Sequence, residues 1–202
     1  MKLLLATRNA GKLREFHQLL AEFPVELVTL DAVPGAVEVE ETGDTFESNA
    51  RLKATGYARQ AGCWTIAEDS GLVVDALGGA PGVHSARYSG VHGDDDANNR
   101  KLIQELQGVS GRSARYVAAI VLARADGTVV AVAQGVCEGS IVDEPRGKGG
   151  FGYDPHFVAI GETRTNAELD PREKHAISHR GQGLRTFLPL LRAQLGLQSE
   201  SG

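Results

Sequence analysis

The sequence lacks the long hydrophobic runs and the cysteine clusters on which several classes of protein depend. Its apolar runs fall well short of the roughly 20 residues that cross a bilayer, and the start MKLLLATRN turns polar too early for a secretory leader. Cys63 and Cys137 stand alone, without a CxxC pair or a metal-ligand spacing, which favours two buried thiols in a reducing compartment. These features predict a cytoplasmic protein that has no membrane partner.

Basic residues are too few for a general polyanion binder. The formal net charge is -5, with 21 Lys and Arg against 26 Asp and Glu, whereas duplex binding needs a basic face that releases counterions. We therefore predict no nucleic-acid partner, and an anionic ligand should be small and held locally. The 202 residues, 42% of them hydrophobic, are enough for a globular core. We predict a single domain over residues 1–202, with a disordered tail at 197–202.

Strands and helices alternate in the first third of the chain. KLLLA and VELVTL suit strands on either side of a helix whose apolar residues recur at helical spacing from Leu13. Asp44 and Glu47 fit a capping box at the start of the helix FESNARLKATGYARQAG, which should stop at Gly62. CWTIA predicts a third strand, which should end at the acidic EDSG.

The rest of the chain mixes further helices with a hairpin. DANNRKLIQELQ predicts a helix, and two apolar segments on either side of the dipeptide Asp126-Gly127 predict an antiparallel hairpin. After the strand FVAI, Asp170 and Glu173 form a capping box for a short helix, and Ser178 is a plausible cap for the last one. The pattern predicts an α/β fold with a mixed sheet.

The stretch TRNAGK, residues 7–12, lies where the first strand turns into the first helix. Such a turn exposes backbone N–H groups and the positive end of the helix dipole, which favours an anion. Lys12 adds a full charge, but Leu13 stands where a Walker loop has the hydroxyl that binds magnesium. An ordinary helix start with a solvated lysine is the alternative.

Two acidic stretches are candidate cation ligands. Glu68 and Asp69 follow a predicted strand, and adjacent strand residues point to opposite faces, so only one of the two should face a given site. EVEETG, residues 38–43, supplies three more acids. Together these stretches offer oxygen ligands to Mg²⁺, which takes one or two carboxylates plus substrate phosphates and waters. Solvated loops are the alternative for both.

Two later motifs combine aromatic rings, histidines and charge. FGYD, residues 151–154, places a stacking ring beside a carboxylate in a glycine-rich loop, although an aromatic next to glycine can also be a core plug. His175 and His179 are four residues apart, but zinc is disfavoured because no third ligand and no HExxH glutamate are present. His179 and Arg180 are better placed, just after Ser178, to bind an anion or the keto oxygen of a base.

Five motifs occur in an order that resembles the Ham1 family of inosine triphosphatases, which are non-canonical purine nucleoside triphosphate pyrophosphatases. The motifs are TRNAGK, EETGDTFESNARLKA, AEDSGLVVDALGGAPGVHSARYSG, GKGGFGYDPHF and EKHAISHRGQ, and they span about residues 3 to 193. The resemblance implies an elongated mixed sheet flanked by helices, with two lobes around a central nucleotide-binding cleft. It also implies a Mg²⁺-dependent homodimer that hydrolyses ITP, dITP and XTP to the monophosphate and pyrophosphate, and so removes deaminated purines from the nucleotide pool.

The resemblance further assigns roles to individual residues. It implies Asp69, Lys12 and Lys53 as catalytic residues, and Glu41 and Asp69 as metal ligands. Two positions depart from the family pattern: Glu68, where relatives often have Asp, and His175, where they have a small residue. The implied substrate contacts are Thr7, Arg8, Asn9, Ala10, Gly11, Lys12, Ser70, Phe151, Gly152, Tyr153, Asp154, Lys174, His179 and Arg180.

Two other functions stay open at this point. One is a Maf-like pyrophosphatase that acts on modified pyrimidine nucleotides. The other is a nucleotide-binding module without turnover, against which the presence of Asp69 and both lysines counts.

Overall fold

The structure is a computed structural model that describes residues 1–21 and 23–197. The predicted tail therefore lies, apart from Leu197, outside the described residues. The chain divides into two compact units: the first comprises 1–69, 119–133 and the chain from 184 on, and the second comprises 70–118 and 134–183. Within the described residues, no helix has both the length and the apolar character needed to cross a bilayer.

Six strands form one mixed sheet in the order β2-β1-β3-β4-β5-β6. Strand β1 runs parallel to both β2 and β3, whereas β5 and β6 are antiparallel. The α/β fold with a mixed sheet is thus confirmed. The strands are β1 Lys2–Leu5, β2 Glu26–Thr29, β3 Trp64–Val74, β4 Ser113–Ala123, β5 Val129–Ile141 and β6 Phe157–Ala159.

Five α-helices occur in the described part of the chain, most of them close to their predicted positions. Helix α4 opens on the predicted capping box of Asp170 and Glu173. Ser178 caps the last helix as predicted, since its Oγ accepts a hydrogen bond from the Gly181 N–H at 3.0 Å. The helices are α1 Ala10–Leu20, α2 Phe46–Ala61, α3 Asp95–Glu105, α4 Pro171–Ile177 and α5 His179–Gln194.

Helix α2 ends where the sequence predicts but begins on a different cap. Gly62 adopts the left-handed conformation at φ 62°, which stops the helix. The predicted capping box of Asp44 and Glu47 is wrong: Thr45 is the N-cap, its Oγ1 accepts from the Ser48 N–H at 3.1 Å, and the Ser48 Oγ accepts from the Thr45 N–H at 3.1 Å. This register brings Phe46 against the apolar core, while Asp44 stays exposed.

The predicted end of β3 at EDSG is also wrong. The strand continues through the acidic residues to Val74, and Glu68 and Asp69 are only 2% and 8% exposed. Strand β1 pairs with β3 only as far as Ile66, whereas β4, the neighbour on the other side of β3 in the sheet, is itself eleven residues long. Both carboxylates are paired with lysines, which compensates for their burial.

The first unit has an apolar core on each face of its part of the sheet. Leu3 and Leu5 of β1 pack with Phe16 of α1 and Phe187 of α5, whereas Leu4 joins a second cluster formed largely with α2. Alternation along the strand explains this division. The second unit has a cluster of its own, in which Leu102 of α3 and Leu106, the C-cap of that helix, are fully buried. Helices α1 and α2 are thereby fixed on the sheet by packing.

The revised start of helix α2 gives a stability prediction. Thr45→Ala should lower the free energy of unfolding by about 1 kcal/mol, because the Ser48 N–H loses its capping acceptor. Asp44→Ala should cost less than about 0.5 kcal/mol, as expected for an exposed residue outside the cap. Urea unfolding of both variants measures the difference. An equal or larger loss in Asp44→Ala would contradict the assignment of the cap.

Candidate active site

The TRNAGK loop is ordered by its own side chains at the start of α1. Asn9 is the N-cap, and its Oδ1 accepts from the Lys12 N–H at 3.0 Å. The Asn9 N–H in turn donates to Thr7 Oγ1 at 3.1 Å. Arg8 and Ala10 are exposed, so the first turn of the helix, with its positive dipole end, is accessible to an anion.

Lys12 is not the solvated lysine of the alternative interpretation. Its Nζ lies 3.6 Å from Oε1 of Glu68, and its side chain is only 14% exposed. The Glu68 side chain is almost completely buried, at 1% exposure. Glu68 of AEDSG therefore places a buried carboxylate against the lysine of the TRNAGK loop.

Lys53 lies between two carboxylates of the first unit. Its Nζ donates to Asp69 Oδ1 at 3.0 Å and to Glu41 Oε2 at 3.1 Å. Burial acts to lower the pKa of Lys53, but the charges and hydrogen bonds of Asp69 and Glu41 outweigh it and raise that pKa. Lys53 therefore stays protonated and holds the EETG segment and strand β3 together. We call these three residues, Glu41, Lys53 and Asp69, the acid–lysine cluster.

Asp69 combines burial with contacts to several charged groups. Burial raises its pKa above the ordinary aspartate value, although Lys53 and Lys12 oppose the shift. Glu68 pairs with Lys12 whereas Asp69 pairs with Lys53, as the opposite directions of adjacent strand residues require. A buried carboxyl with a raised pKa beside two lysines is a typical arrangement of a general base.

Asn49 also binds Asp69 of this cluster, although the sequence patterns did not predict it as a site residue. The residue is fully buried; its Oδ1 accepts from the Gly43 N–H at 2.8 Å, and its Nδ2 donates to Asp69 Oδ2 at 3.4 Å. It therefore ties the EETG segment to the second carboxylate oxygen of Asp69. Its position four residues before Lys53 on α2, which puts both on one helix face, is the signal that could have found it.

The acid–lysine cluster suits a cation that is shared with a substrate. Glu41 and Asp69 both lie on one ammonium group, so their oxygens converge on a common positive charge. No group of three or more His, Cys, Asp or Glu side chains able to hold a metal occurs within 1–21 and 23–197. The two carboxylates of the cluster fit a hard cation that completes its shell with phosphate oxygens and water.

In the second unit, two of the four FGYD residues are buried supports. Asp154 is 3% exposed and accepts from Lys174 Nζ at 2.6 Å, from the Phe151 N–H at 2.8 Å and from Asn166 Nδ2 at 3.3 Å. The Tyr153 hydroxyl donates to a backbone carbonyl at 2.8 Å, and burial raises its pKa. Asp154 and Tyr153 therefore fix the loop, and the core-plug interpretation applies to Tyr153.

Phe151 is the half-buried ring of this motif, and two cations face it. Lys174 Nζ lies 4.7 Å from the ring centroid, and the guanidinium of Arg180 lies 5.6 Å from it. Arg180 is 2% exposed and its Nη2 donates to Ser70 Oγ at 3.4 Å. The second unit thus brings together four of the predicted substrate contacts, from three separate motifs.

His179 is oriented by an aromatic ring that the sequence patterns did not predict as part of the site. It stacks on Tyr116 of β4, with centroids 4.7 Å apart and planes at 10°. Burial raises the pKa of Tyr116 well above the ordinary value. A tyrosine in a strand carries no separate signal in the sequence, so only the fold reveals this pair. His175 does not share a helix with His179, because Ser178 is extended and separates α4 from α5.

Comparison with known proteins gives matches over nearly the whole chain. The sequence model of the Ham1 family matches residues 3–190. A dITP/XTP pyrophosphatase of Streptomyces avermitilis is 49% identical over 199 residues, which cover 96% of this chain and 99% of the relative. A second dITP/XTP pyrophosphatase, from Exiguobacterium sp., is 48% identical over 185 residues, with 92% and 94% coverage.

Solved structures agree with these sequence matches. A HAM1 protein from Coxiella burnetii superposes with a TM-score of 0.87 at 41% identity, covering 96% of this chain and 99% of that chain. A nucleoside-triphosphatase / dITP/XTP pyrophosphatase from Mycobacterium abscessus gives a TM-score of 0.78 at 48% identity, covering 95% and 100%. Fold and sequence therefore point to the same family of proteins.

The buried pair of Asp154 and Lys174 gives a test of the loop's support. Asp154→Asn and Lys174→Met should each lower the free energy of unfolding by about 3–5 kcal/mol, because each leaves a buried charge without its partner. The double variant should lose less than the sum, with a coupling of about 1–3 kcal/mol. Urea unfolding of the four proteins measures the coupling.

The exposed pair of Glu47 and Arg51 on α2 is the matched control for this cycle. Its atoms are 2.8 Å apart, but the side chains are 37% and 44% exposed, so its coupling should stay below about 0.5 kcal/mol. Additive losses in the Asp154 and Lys174 cycle would show that the two residues do not act as a pair.

Proposed function

Because the chain belongs to the Ham1 family, we propose that it is a pyrophosphatase that hydrolyses ITP, dITP and XTP to the nucleoside monophosphate and pyrophosphate. The observation that carries this proposal is the acid–lysine cluster, with Lys12 close to the same strand. It joins a buried candidate base to cations that suit a triphosphate. The activity removes deaminated purines from the nucleotide pool.

Asp69 is the residue that we assign to the attacking water. Its carboxylate orients the water and takes its proton as the water oxygen bonds to the α phosphorus, a contribution of roughly 10²- to 10⁴-fold. The bond from the α phosphorus to the bridging oxygen breaks, and the electrons leave with pyrophosphate. The raised pKa of Asp69 makes it a better base than an exposed aspartate.

Lys12 and Lys53 are the groups that we assign to the leaving pyrophosphate. Both are cationic and shielded from water, so their stabilisation of growing negative charge is stronger than at a surface. The backbone of residues 7–11, at the start of α1, would bind the phosphates through its N–H groups and the helix dipole. Thr7 and Asn9 contribute by shaping that turn.

Glu41 and Asp69 are the residues that would hold Mg²⁺. When bound, the ion neutralises phosphate charge and aligns the triphosphate for in-line attack. Lys53 already places both carboxylates around one positive charge, and Asn49 holds the remaining oxygen of Asp69. The protein thereby supplies two oriented hard ligands before the substrate arrives.

The base is assigned to the second unit. Phe151 offers a ring for stacking, Lys174 and Arg180 face that ring, and Arg180 also binds Ser70. We assign Gly152 and His179 to the same base pocket. Donors from His179, Arg180 or the loop backbone would pair with the keto oxygen at position 6 of hypoxanthine or xanthine. Adenine has an amine there and would leave a donor unsatisfied, at a cost of about 1–3 kcal/mol.

Two broader properties that the family implies belong to this proposal as well. A homodimer is predicted, and sedimentation or light scattering would measure it directly. A cytoplasmic location follows from the expected cellular task, because deaminated nucleotides must be removed before a polymerase uses them.

A nucleotide panel tests the function directly. With Mg²⁺ and detection of pyrophosphate, kcat/KM for ITP, dITP and XTP should exceed that for ATP by about 5- to 150-fold, the equivalent of 1–3 kcal/mol. Comparable values for ITP and ATP would contradict the base pocket. Preference for modified pyrimidines would favour the Maf-like alternative, and binding without products would favour a module without turnover.

Replacement of Asp69 tests the mechanism. Asp69→Asn keeps the shape but removes the basic oxygen, so kcat with ITP and Mg²⁺ should fall by roughly 10²- to 10⁴-fold. Asp31→Asn, at an exposed position of the first unit, should leave kcat unchanged and serves as the control. Thermal melting of both variants checks that they fold. Near-normal turnover in Asp69→Asn would rule out its assignment as the base.

A further inference from the structure

The loop that ends in FGYD, residues 147–154, is called the FGYD loop here. It has little apolar packing around Phe151 and the residues before it. Residues 143–150 are all exposed and form no helix or strand, and Phe151 and Gly152 are only half-buried. The first buried residues of the loop are Tyr153 and Asp154. Hydrogen bonds, rather than apolar contacts, must therefore fix the peptide that carries the Phe151 ring.

Helix α3 supplies those hydrogen bonds from two side chains. The Gly152 N–H donates to Asp95 Oδ2 at 2.7 Å, and the Gly152 carbonyl accepts from Asn99 Nδ2 at 2.9 Å. Asp95 and Asn99 are four residues apart and thus lie on one face of the helix. Both polar groups of a single loop residue are bound in this way, and we call the arrangement the α3 clamp.

Among the described residues, Gly152 is the hydrogen-bond partner that orients the amide of Asn99. Its Nδ2 faces the Gly152 carbonyl, while its buried Oδ1 has no hydrogen-bond partner within the described residues. Buried polar atoms are normally paired. In this orientation the Gly152 carbonyl has a donor, whereas the Asn99 Oδ1 has none within the described residues. A residue with only a packing role does not require such an arrangement.

The helix that carries the clamp is itself firmly held. Leu102 and Leu106 are fully buried in the core of the second unit. Asp94 caps the helix by accepting from the Ala97 N–H at 2.9 Å, and the buried Asn98 accepts from the Ser89 N–H at 2.7 Å. The clamp therefore connects an exposed loop to a fixed support.

From this geometry we infer that Asp95 and Asn99 are positioning residues that set base selectivity by holding Phe151, without touching the substrate themselves. The inference rests on the proposed function of the FGYD loop. Gly152 is the next residue after Phe151, whose ring lies 4.7 Å from Lys174 Nζ. Loss of the clamp lets the ring move away from this cation, so binding and discrimination of the base suffer more than turnover.

Gly152 itself fits this role. Its φ is 63°, in the left-handed region that glycine adopts without strain. In this conformation the peptide on each side of Gly152 presents its polar group to α3. The clamp thus depends on a backbone shape that the loop sequence already provides.

Four variants of α3 test the clamp. Asn99→Asp keeps the shape but sets an anionic oxygen against the Gly152 carbonyl, and Asp95→Ala removes the acceptor for the Gly152 N–H. Asp95→Asn retains a side-chain oxygen that can accept. Asp96→Ala is the matched control, because Asp96 is also an acid of the first turn of α3 and is exposed. The measurements are kcat and KM for ITP and ATP, together with hydrogen exchange over residues 147–154.

Asn99→Asp and Asp95→Ala should raise KM for ITP about 10-fold, which corresponds to one lost hydrogen bond, with kcat within about twofold of wild type. The ratio of kcat/KM for ITP over ATP should fall, and exchange over 147–154 should accelerate. Asp95→Asn and Asp96→Ala should resemble wild type in KM for ITP, in the ITP to ATP ratio and in hydrogen exchange. Asp95→Asn keeps an acceptor for the Gly152 N–H, and within the described residues Asp96 makes no hydrogen bond to the loop.

Unchanged exchange in the loop, or a loss confined to kcat with the ITP to ATP ratio intact, would overturn the inference. If Asn99→Asp does not fold, the comparison of Asp95→Ala with Asp95→Asn decides the same question. A wild-type protein that releases no pyrophosphate would refute the proposed function instead, and the exchange measurement would still decide whether the clamp holds the loop.

Discussion

Strand β3 buries two adjacent carboxylates, and the arrangement of the first unit depends on neutralising them. An ionised carboxyl group loses several kcal/mol of hydration on burial unless a cation or hydrogen-bond donors replace the water. Lys12 comes from α1 to reach Glu68, and Lys53 comes from α2 to reach Asp69. The two helices must therefore pack on the sheet so that these lysines meet the strand, and the two apolar clusters of the first unit hold them there.

The same constraint gives the site its chemistry. A carboxylate that is compensated by a lysine stays charged yet poorly hydrated, so it can accept a proton from a bound water. The lysine that compensates it is also positioned to attract phosphate. In the second unit, the buried Asp154 is likewise paired with Lys174. That pair supports the FGYD loop and its Phe151 ring rather than a reacting group. Under the proposed function, buried charge serves the reaction in the first unit and recognition of the base in the second.

The elements follow closely from the sequence because their signals are local: Gly62 stops α2, and Asp170 with Glu173 opens α4. Predictions from local patterns were wrong where a tertiary contact determined the structure. Strand β3, for example, continues through EDSG because Glu68 and Asp69 are each paired with a lysine. Positioning residues were missed for the same reason. Asn49 meets an aspartate 20 residues away, and Asp95 meets a glycine 57 residues away. The spacing of Asn49 and Lys53 on α2 could indicate the residue but not its partner, and neither long separation follows a local spacing rule. The sequence indicated the motifs of the candidate site and the resemblance assigned their roles, whereas the contacts of the supporting residues required the fold.

Under the proposed function, the acid–lysine cluster directs water to the α phosphorus and lets pyrophosphate leave. Hydrolysis of ITP in ¹⁸O-labelled water, followed by mass spectrometry of both products, tests this point most directly. The label should enter the phosphate of the nucleoside monophosphate, and the pyrophosphate should carry none. Label in the pyrophosphate would mean that water attacks the β phosphorus, and would contradict the roles assigned to Asp69 and the two lysines.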